Sequence, residues 1–239
     1  MRVVALNGSA RADRGVTGRL LAALTQGLAA GDAVVETVAV AAKNIAPCRA
    51  CLTCMHATPG RCAQDDDMSG IYPLLQAADM LVVATPVYTD SMTAQLKAVM
   101  DRTICAMQPF LMTDAAGRTR HPLTWRLPPW FVLLATSGFP EPATFEPLKL
   151  TLRAQAANFG SRLVAEFCLP GSLALQMEPG LLEGHLGLLS QAGEELARQG
   201  GVNPWLAARI NRPAFSVDEF RRVAARYEAW CRKKLAPAP

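Results

Sequence analysis

The sequence predicts an α/β fold, a doubly wound five-stranded parallel sheet with additional C-terminal helices. Five short apolar runs alternate with segments of helical period, the order that builds a parallel sheet with helices on its faces. The runs are continuous rather than alternately polar, as in strands buried on both sides. A length of 239 residues suits one such core with terminal helices and is short for two domains.

Val3, Val4, Ala5 and Leu6 form the first strand, which stops at Asn7-Gly8-Ser9. Leu20, Leu21, Leu24 and Leu28 then recur at helical spacing, and Gly31 stands where a helix C-cap is expected. Val34, Val35, Thr37, Val38 and Val40 make a β-branched second strand. Residues 43–67 follow neither period and read as an inserted loop, after which Asp66 or Asp67 caps a short helix through Ile71, Leu74 and Leu75. Residues 80–84 form the third strand, ending at Thr85-Pro86, and Met92, Leu96, Val99 and Met100 mark the next helix. Pro122, Pro128 and Pro129, with Trp125 between them, make 118–129 an ordered loop. Residues 130–135 are the fourth strand, 148–159 a helix and 163–168 the fifth strand. Beyond Pro170 the pattern is helical: Ser216 and Glu219 make a capping box for a last helix with Phe220, Val223, Ala224, Tyr227 and Cys231 on one face. The expected organisation is a cofactor-binding domain over 1–170 with the insert 43–67, and a helical extension over 171–239 packed on the same domain.

Apolar residues are 51% of the chain and charged residues 18%, enough to bury a sheet under helices. A net charge of +4, with lysines and arginines scattered, makes no case for nucleic acid. No apolar run reaches the roughly 18 residues of a membrane span, and the apolar start is too brief for a signal-peptide core, so a soluble cytoplasmic protein with no membrane partner is expected.

Between the first strand and first helix lies Gly8-Ser9-Ala10-Arg11-Ala12-Asp13-Arg14-Gly15-Val16-Thr17. Unpaired N–H groups and the positive end of the helix dipole favour an anion there, and Ser9, Arg11 and Thr17 can complete a phosphate cage. The alternative is that Ser9 and Thr17 only cap the helix around a tight turn. The glycine pattern is neither the dinucleotide fingerprint nor the lysine-bearing triphosphate loop, which favours a mononucleotide such as FMN. The third strand ends in Thr85-Pro86-Val87-Tyr88-Thr89-Asp90-Ser91-Met92 and the fourth in Thr136-Ser137-Gly138-Phe139, both opening at the same sheet edge. An isoalloxazine ring needs a flat partner and backbone donors, which Tyr88 and its neighbours supply; Phe139 reads equally as rim packing.

Gly8-Ser9-x-Arg11, Thr17, Pro86-x-Tyr88, Leu96-Lys97 and Asp101-Arg102 together resemble the NAD(P)H-dependent FMN reductase superfamily, over most of residues 1–170. The resemblance implies a flavodoxin-like sheet of order 2-1-3-4-5. It implies FMN phosphate at Ser9, Arg11, Val16 and Thr17, and the ring near Pro86, Val87, Tyr88, Ser91, Thr136, Ser137 and Gly138. At Val16, where the related loop usually offers a polar side chain, only a backbone contact is available. Lys97, Asp101 and Arg102 are expected to be structural.

Cys48-x-x-Cys51-x-x-Cys54 followed by Cys62 places four soft ligands within fifteen residues. Two successive two-residue gaps let three thiolates converge, and the longer loop through Gly60 brings Cys62 round as the fourth, which suits a [4Fe–4S] cluster. Zinc also takes four thiolates, usually as two separated pairs, so a zinc-bound or empty site stays open and disulfides rank last. With the flavin loops, this run resembles the iron–sulfur flavoproteins of the same superfamily, which implies a cluster and FMN in one chain and a homo-oligomer, dimer or tetramer. Cys105, Cys168 and Cys231 fit apolar faces and read as core residues. His56, inside the cysteine loop, reads as a solvated residue rather than one that tunes or ligates the metal, His121 and His185 have no companions suggesting catalysis, and Asp65-Asp66-Asp67 reads as helix capping rather than a magnesium site.

The expected function is an FMN-dependent oxidoreductase or electron carrier linking two-electron flavin chemistry to a one-electron cluster, with NAD(P)H or ferredoxin as donor and a small molecule or protein as acceptor. One alternative is an NAD(P)H-dependent FMN or quinone reductase whose cysteines hold zinc or nothing. Another is a flavodoxin-like binding module without cofactor.

Overall fold

The computed structural model describes residues 1–235. In chain order the elements are β1 (Arg2–Asn7), α1 (Val16–Ala30), β2 (Val34–Ala39), α2 (Thr53–His56), α3 (Met68–Ala77), β3 (Met80–Pro86), α4 (Ala94–Arg102), β4 (Met112–Thr113), β5 (Thr119–Arg120), β6 (Trp130–Thr136), α5 (Glu146–Asn158), β7 (Arg162–Leu169), α6 (Ser172–Met177), α7 (Glu183–Gln199), α8 (Pro204–Ile210) and α9 (Val217–Leu235). The main sheet runs β2-β1-β3-β6-β7, all parallel. With the small antiparallel hairpin β4–β5 set aside, this is the expected 2-1-3-4-5 order.

The continuous apolar runs become central strands: residues 80–84 and 131–135 are fully buried. β2 lies at an edge, and its Val34 is largely exposed. One face of the sheet is covered by α3, α4 and α5 through Ile71, Leu75, Leu96, Val99, Leu148 and Leu152. The other is covered by α1, α7 and α8 through Leu20, Leu24, Leu189, Leu196, Leu206 and Ile210. No helix among the described residues is long and apolar enough to cross a membrane.

The α1–α7 contact depends on two glycines. A Cβ on Gly27 would lie 1.8 Å from the Ser190 carbonyl oxygen, and one on Gly193 would lie 2.2 Å from that of Leu24, so the backbones touch where side chains would hold them apart. Gly31 does close α1, but its φ is −89° and the left-handed residue is Asp32, at φ 65°. Its lack of a side chain instead admits Ala197 of α7, whose Cβ would be 2.5 Å from a Cβ there.

The expected caps form. The Asp66 carboxylate accepts from the Met68 N–H (3.1 Å) at the start of α3. Ser216 and Glu219 bond reciprocally, the Ser216 N–H to Glu219 Oε2 at 2.6 Å and the Glu219 N–H to Ser216 Oγ at 3.2 Å. The face of α9 is only partly buried, however. Val223 packs inward and Phe220 lies 5.7 Å from Phe215, whereas Tyr227 and Trp230 stack on each other at 5.9 Å in solvent. Cys231 is therefore a half-buried residue of a surface helix and not a core residue; Cys105 and Cys168 are buried. Of the extension 171–239, residues 236–239 lie outside the described range.

Candidate functional site

The carboxyl ends of β1, β3 and β6 open into a cleft of about 290 Å³ lined by Ser9, Arg11, Gly15, Val16, Thr17, Pro86, Val87, Tyr88, Thr136, Gly138, Ser172, Leu173 and Gln176. This is the switch point of the sheet, where open α/β folds bind ligands. The floor is the start of α1. Gly15 is its N-cap, no side chain caps the first turn, and no acidic residue stands in it. Its first N–H groups thus retain the positive end of the helix dipole with no side-chain acceptor, the condition that suits a phosphate.

The loop leading in is folded tightly to reach that position. Ser9 Oγ accepts from the Arg11 N–H (3.3 Å), its carbonyl accepts from the Ala12 N–H (2.9 Å), and a 3-10 turn over Ala12–Arg14 follows. A Cβ on Gly18 would lie 2.1 Å from the Ala12 carbonyl oxygen, so this turn can sit on the helix start only over a glycine. Thr17 Oγ1 and Thr136 Oγ1, both buried, are 2.8 Å apart. Two hydroxyls carry two hydrogens and their mutual bond uses one, leaving the other for an acceptor in the cleft.

The opposite wall is a short turn and a clamped loop. Thr89 and Asp90 both have positive φ (47° and 59°), as a type I′ turn requires, and Tyr88 and Ser91 pair across them. Left-handed backbone is costly for a β-branched residue; here it presents Tyr88, which is 53% exposed, at the mouth. The Val87 N–H donates to the Thr136 carbonyl at 2.7 Å, tying this turn to the end of β6. The start of α6 holds the next loop: the Ser172 N–H donates to the Ser137 carbonyl (2.6 Å) and the Gly171 N–H to that of Phe139 (2.7 Å).

The four cysteines of the insert converge on one cavity. Cys48, Cys51, Cys54 and Cys62 line it together with Arg102, Ile104 and Cys105. Ala50 and Leu52, on either side of Cys51, have left-handed φ of 51° and 56°, and Gly60 has φ +78°, so the chain reverses repeatedly to bring the thiols to one side. Trp125 fixes the far end of this loop, its Nε1–H donating to the Gly60 carbonyl (3.2 Å) and its ring standing edge-on to Tyr72 at 6.0 Å. Cys51 is exposed, and hydrogen bonds from Thr53 hold its thiol below the ordinary value. Burial raises that of Cys54 and pushes Cys105 up to about 12. The cavity encloses about 20 Å³, room for about one water, and Cys51 is its exposed cysteine. Among the described residues no group of His, Cys, Asp and Glu is gathered closely enough for a single metal ion. Four soft thiols around one cavity with no carboxylate among its lining residues are nonetheless a donor set suited to iron–sulfur.

The family model described as NADPH-dependent FMN reductase matches residues 1–124, about half of the chain. The chain belongs to this family. An iron–sulfur flavoprotein of Methanosarcina thermophila is 36% identical over 104 residues, covering 44% of this chain and 53% of that protein. One from Archaeoglobus fulgidus is 35% identical over 102 residues, 43% of this chain and 45% of its own length. The chain thus spans about half the length of the curated relatives it matches. Among solved structures, an FMN-dependent NADH-azoreductase from Bacillus anthracis, in complex with FMN, has a TM-score of 0.59 at 14% identity, over 82% of this chain and 99% of its own. An NAD(P)H:quinone oxidoreductase from Methanothermobacter marburgensis has a TM-score of 0.59 at 16% identity, over 83% and 98%. At these identities the two structures share the fold.

In this FMN reductase family member, the residues expected around a flavin are brought together with two exceptions. Ser9, Arg11, Val16, Thr17, Pro86, Val87, Tyr88, Thr136 and Gly138 line the cleft, whereas Ser91 and Ser137 do not. Ser91 closes the turn under Tyr88, and Ser137 donates its hydroxyl to the Phe139 carbonyl (2.9 Å). Ser172, Leu173 and Gln176 were not legible as site residues, because a six-residue helix after Pro170 has no period that points at a cleft; the left-handed Gly171 (φ +72°) was the one local signal of a sharp turn there. Lys97 and Asp101 pair with each other across one helical turn, and Arg102 is buried against Asp66. His56 is exposed, and His121 and His185 bond backbone carbonyls.

Proposed function

We propose that this chain is an FMN-dependent oxidoreductase and electron-transfer iron–sulfur flavoprotein, reduced by NAD(P)H and delivering electrons to a small-molecule or protein acceptor. The observation that carries the reading is the uncapped start of α1 on the floor of the cleft. Phosphate would rest on the N–H groups of Val16 and Thr17, with Ser9, Thr17 and Arg11 around it. The ring would lie along Pro86, Val87 and Tyr88, opposite Thr136, Ser137 and Gly138, with Ser91 fixing the turn. Cys48, Cys51, Cys54 and Cys62 would hold a [4Fe–4S] cluster, in keeping with the names of the relatives.

When bound, a flavin accepts two electrons as hydride and releases them singly, and a cluster exchanges one at a time. The chain's own part is to neutralise the phosphate, orient the ring at the sheet edge and keep water from its inner face; no side chain need act as acid or base. We take residues 1–170 as the cofactor-binding unit and 171–239 as an extension of it, since α6 contributes to the cleft wall. Exposed Phe110, Leu111 and Met112 near the hairpin β4–β5 favour association into a homo-dimer or homo-tetramer.

Anaerobic purification followed by flavin, iron and sulfide determination tests this. The expected result is about one FMN with about four irons and four sulfides per chain. Flavin without iron would favour an NAD(P)H-dependent FMN or quinone reductase with zinc-bound or empty cysteines, and neither cofactor would leave a binding module.

A further inference from the structure

A cage of iron and sulfide held by four thiolates carries net negative charge, and burying it demands donors or cations around the sulfurs. The cavity lined by the four motif cysteines is also lined by Arg102 and Cys105, which lie outside the motif in sequence. Arg102 ends α4 and is 1% exposed. Its Nη1 donates to Asp66 Oδ2 (2.8 Å) and the Ala46 carbonyl (2.9 Å), and its Nη2 to Asp66 Oδ1 (3.2 Å). Its Nε–H, equally buried, has no acceptor among the described residues. A buried guanidinium donor left unmatched is costly and rare, and marks a place where an acceptor belongs.

Cys105 follows on the 3-10 turn Thr103–Ala106, is 1% exposed, and lines the same cavity as Cys54. The bonds of Arg102 to Asp66 and Ala46 occupy its two terminal nitrogens and leave Nε as the unmatched donor of a side chain that lines the cavity.

We propose that Arg102 and Cys105 are positioning residues of the cluster site: Arg102 Nε–H and Cys105 S–H donate to the sulfurs of the cluster and its Cys54 ligand, and thereby raise its reduction potential. The assignment rests on the iron–sulfur reading above. Reduction adds negative charge to the cage, so donors aimed at its sulfurs favour the reduced form, and losing one lowers the potential.

Anaerobic redox titration of the full-length holoprotein, followed by visible absorbance and electron paramagnetic resonance, tests this in Arg102→Lys, which keeps a cation for Asp66, and in Cys105→Ala. Each variant should retain wild-type iron and FMN, with its cluster tenfold harder to reduce, a fall of about 59 mV for one electron, and the flavin potentials in the same titration should not move. If Arg102→Lys fails to fold, Cys105→Ala alone decides. Loaded variants titrating at the wild-type potential would overturn this assignment and leave the cluster standing. Absence of iron and sulfide from reconstituted wild-type protein would overturn both.

Discussion

Arg102 and Asp66 are 1% and 7% exposed at their side chains, and together they hold the insert against α4. Burial works against the Asp66 carboxylate, but the Arg102 guanidinium and the N–H groups of Ala46 and Met68 outweigh it and hold the carboxyl below its ordinary range. Removing one partner of a buried pair leaves the other uncompensated, so Asp66→Ala should lower unfolding stability by about 3 kcal/mol, measured by urea denaturation. Because the folded-state value is depressed, the contribution is complete above the unfolded value, near pH 4, and fades as pH falls through the folded one. Wild type should therefore lose more stability than Asp66→Ala between about pH 6 and about pH 3; equal losses would remove Asp66 from the account. At the cleft, Arg11→Ala should weaken FMN binding by roughly tenfold or more, the worth of a charge-assisted hydrogen bond. Thr17→Val should weaken it less, and Cys51→Ala should leave it unchanged while removing iron; titration by flavin fluorescence and iron assay read all three.

At the scale of elements, the contact of α1 with α7 is set by absent side chains. Gly27→Ala puts a methyl 1.8 Å from the Ser190 carbonyl oxygen, and the helices must separate or the register slip. Overpacking of this kind costs about 1–3 kcal/mol, and thermal unfolding should show it; an unchanged midpoint would mean that α7 is not seated as described. The strands were legible because burial on both faces leaves an unbroken apolar run, and α9 because its capping box is a local pattern. What α9 packs against was not legible. Its apolar face spans Phe220 to Cys231, yet Tyr227 and Trp230 stand in solvent, since a helical period reports a face and not its partner. The hairpin β4–β5 escaped notice because two-residue strands are too short to show alternation.

For the whole molecule, the parallel sheet delivers the β1–α1 loop, the Tyr88 turn and the β6 loop to one edge, and the insert carries four thiols to one cavity. Nine of the eleven residues expected around the flavin line one cleft, since each sits at the end of a readable strand, in the loop that leaves it or at the start of the helix that follows. No motif spacing points to Ser172, Leu173 and Gln176 in the cleft or to Arg102 and Cys105 in the cysteine cavity, because tertiary packing carries them there. The account turns on a phosphate seated at the start of α1, and comparing the binding of FMN and riboflavin to the apoprotein isolates that group. FMN should bind at least about tenfold more tightly, as expected for a phosphate on free N–H groups and an arginine. Equal affinity for the two flavins would contradict it.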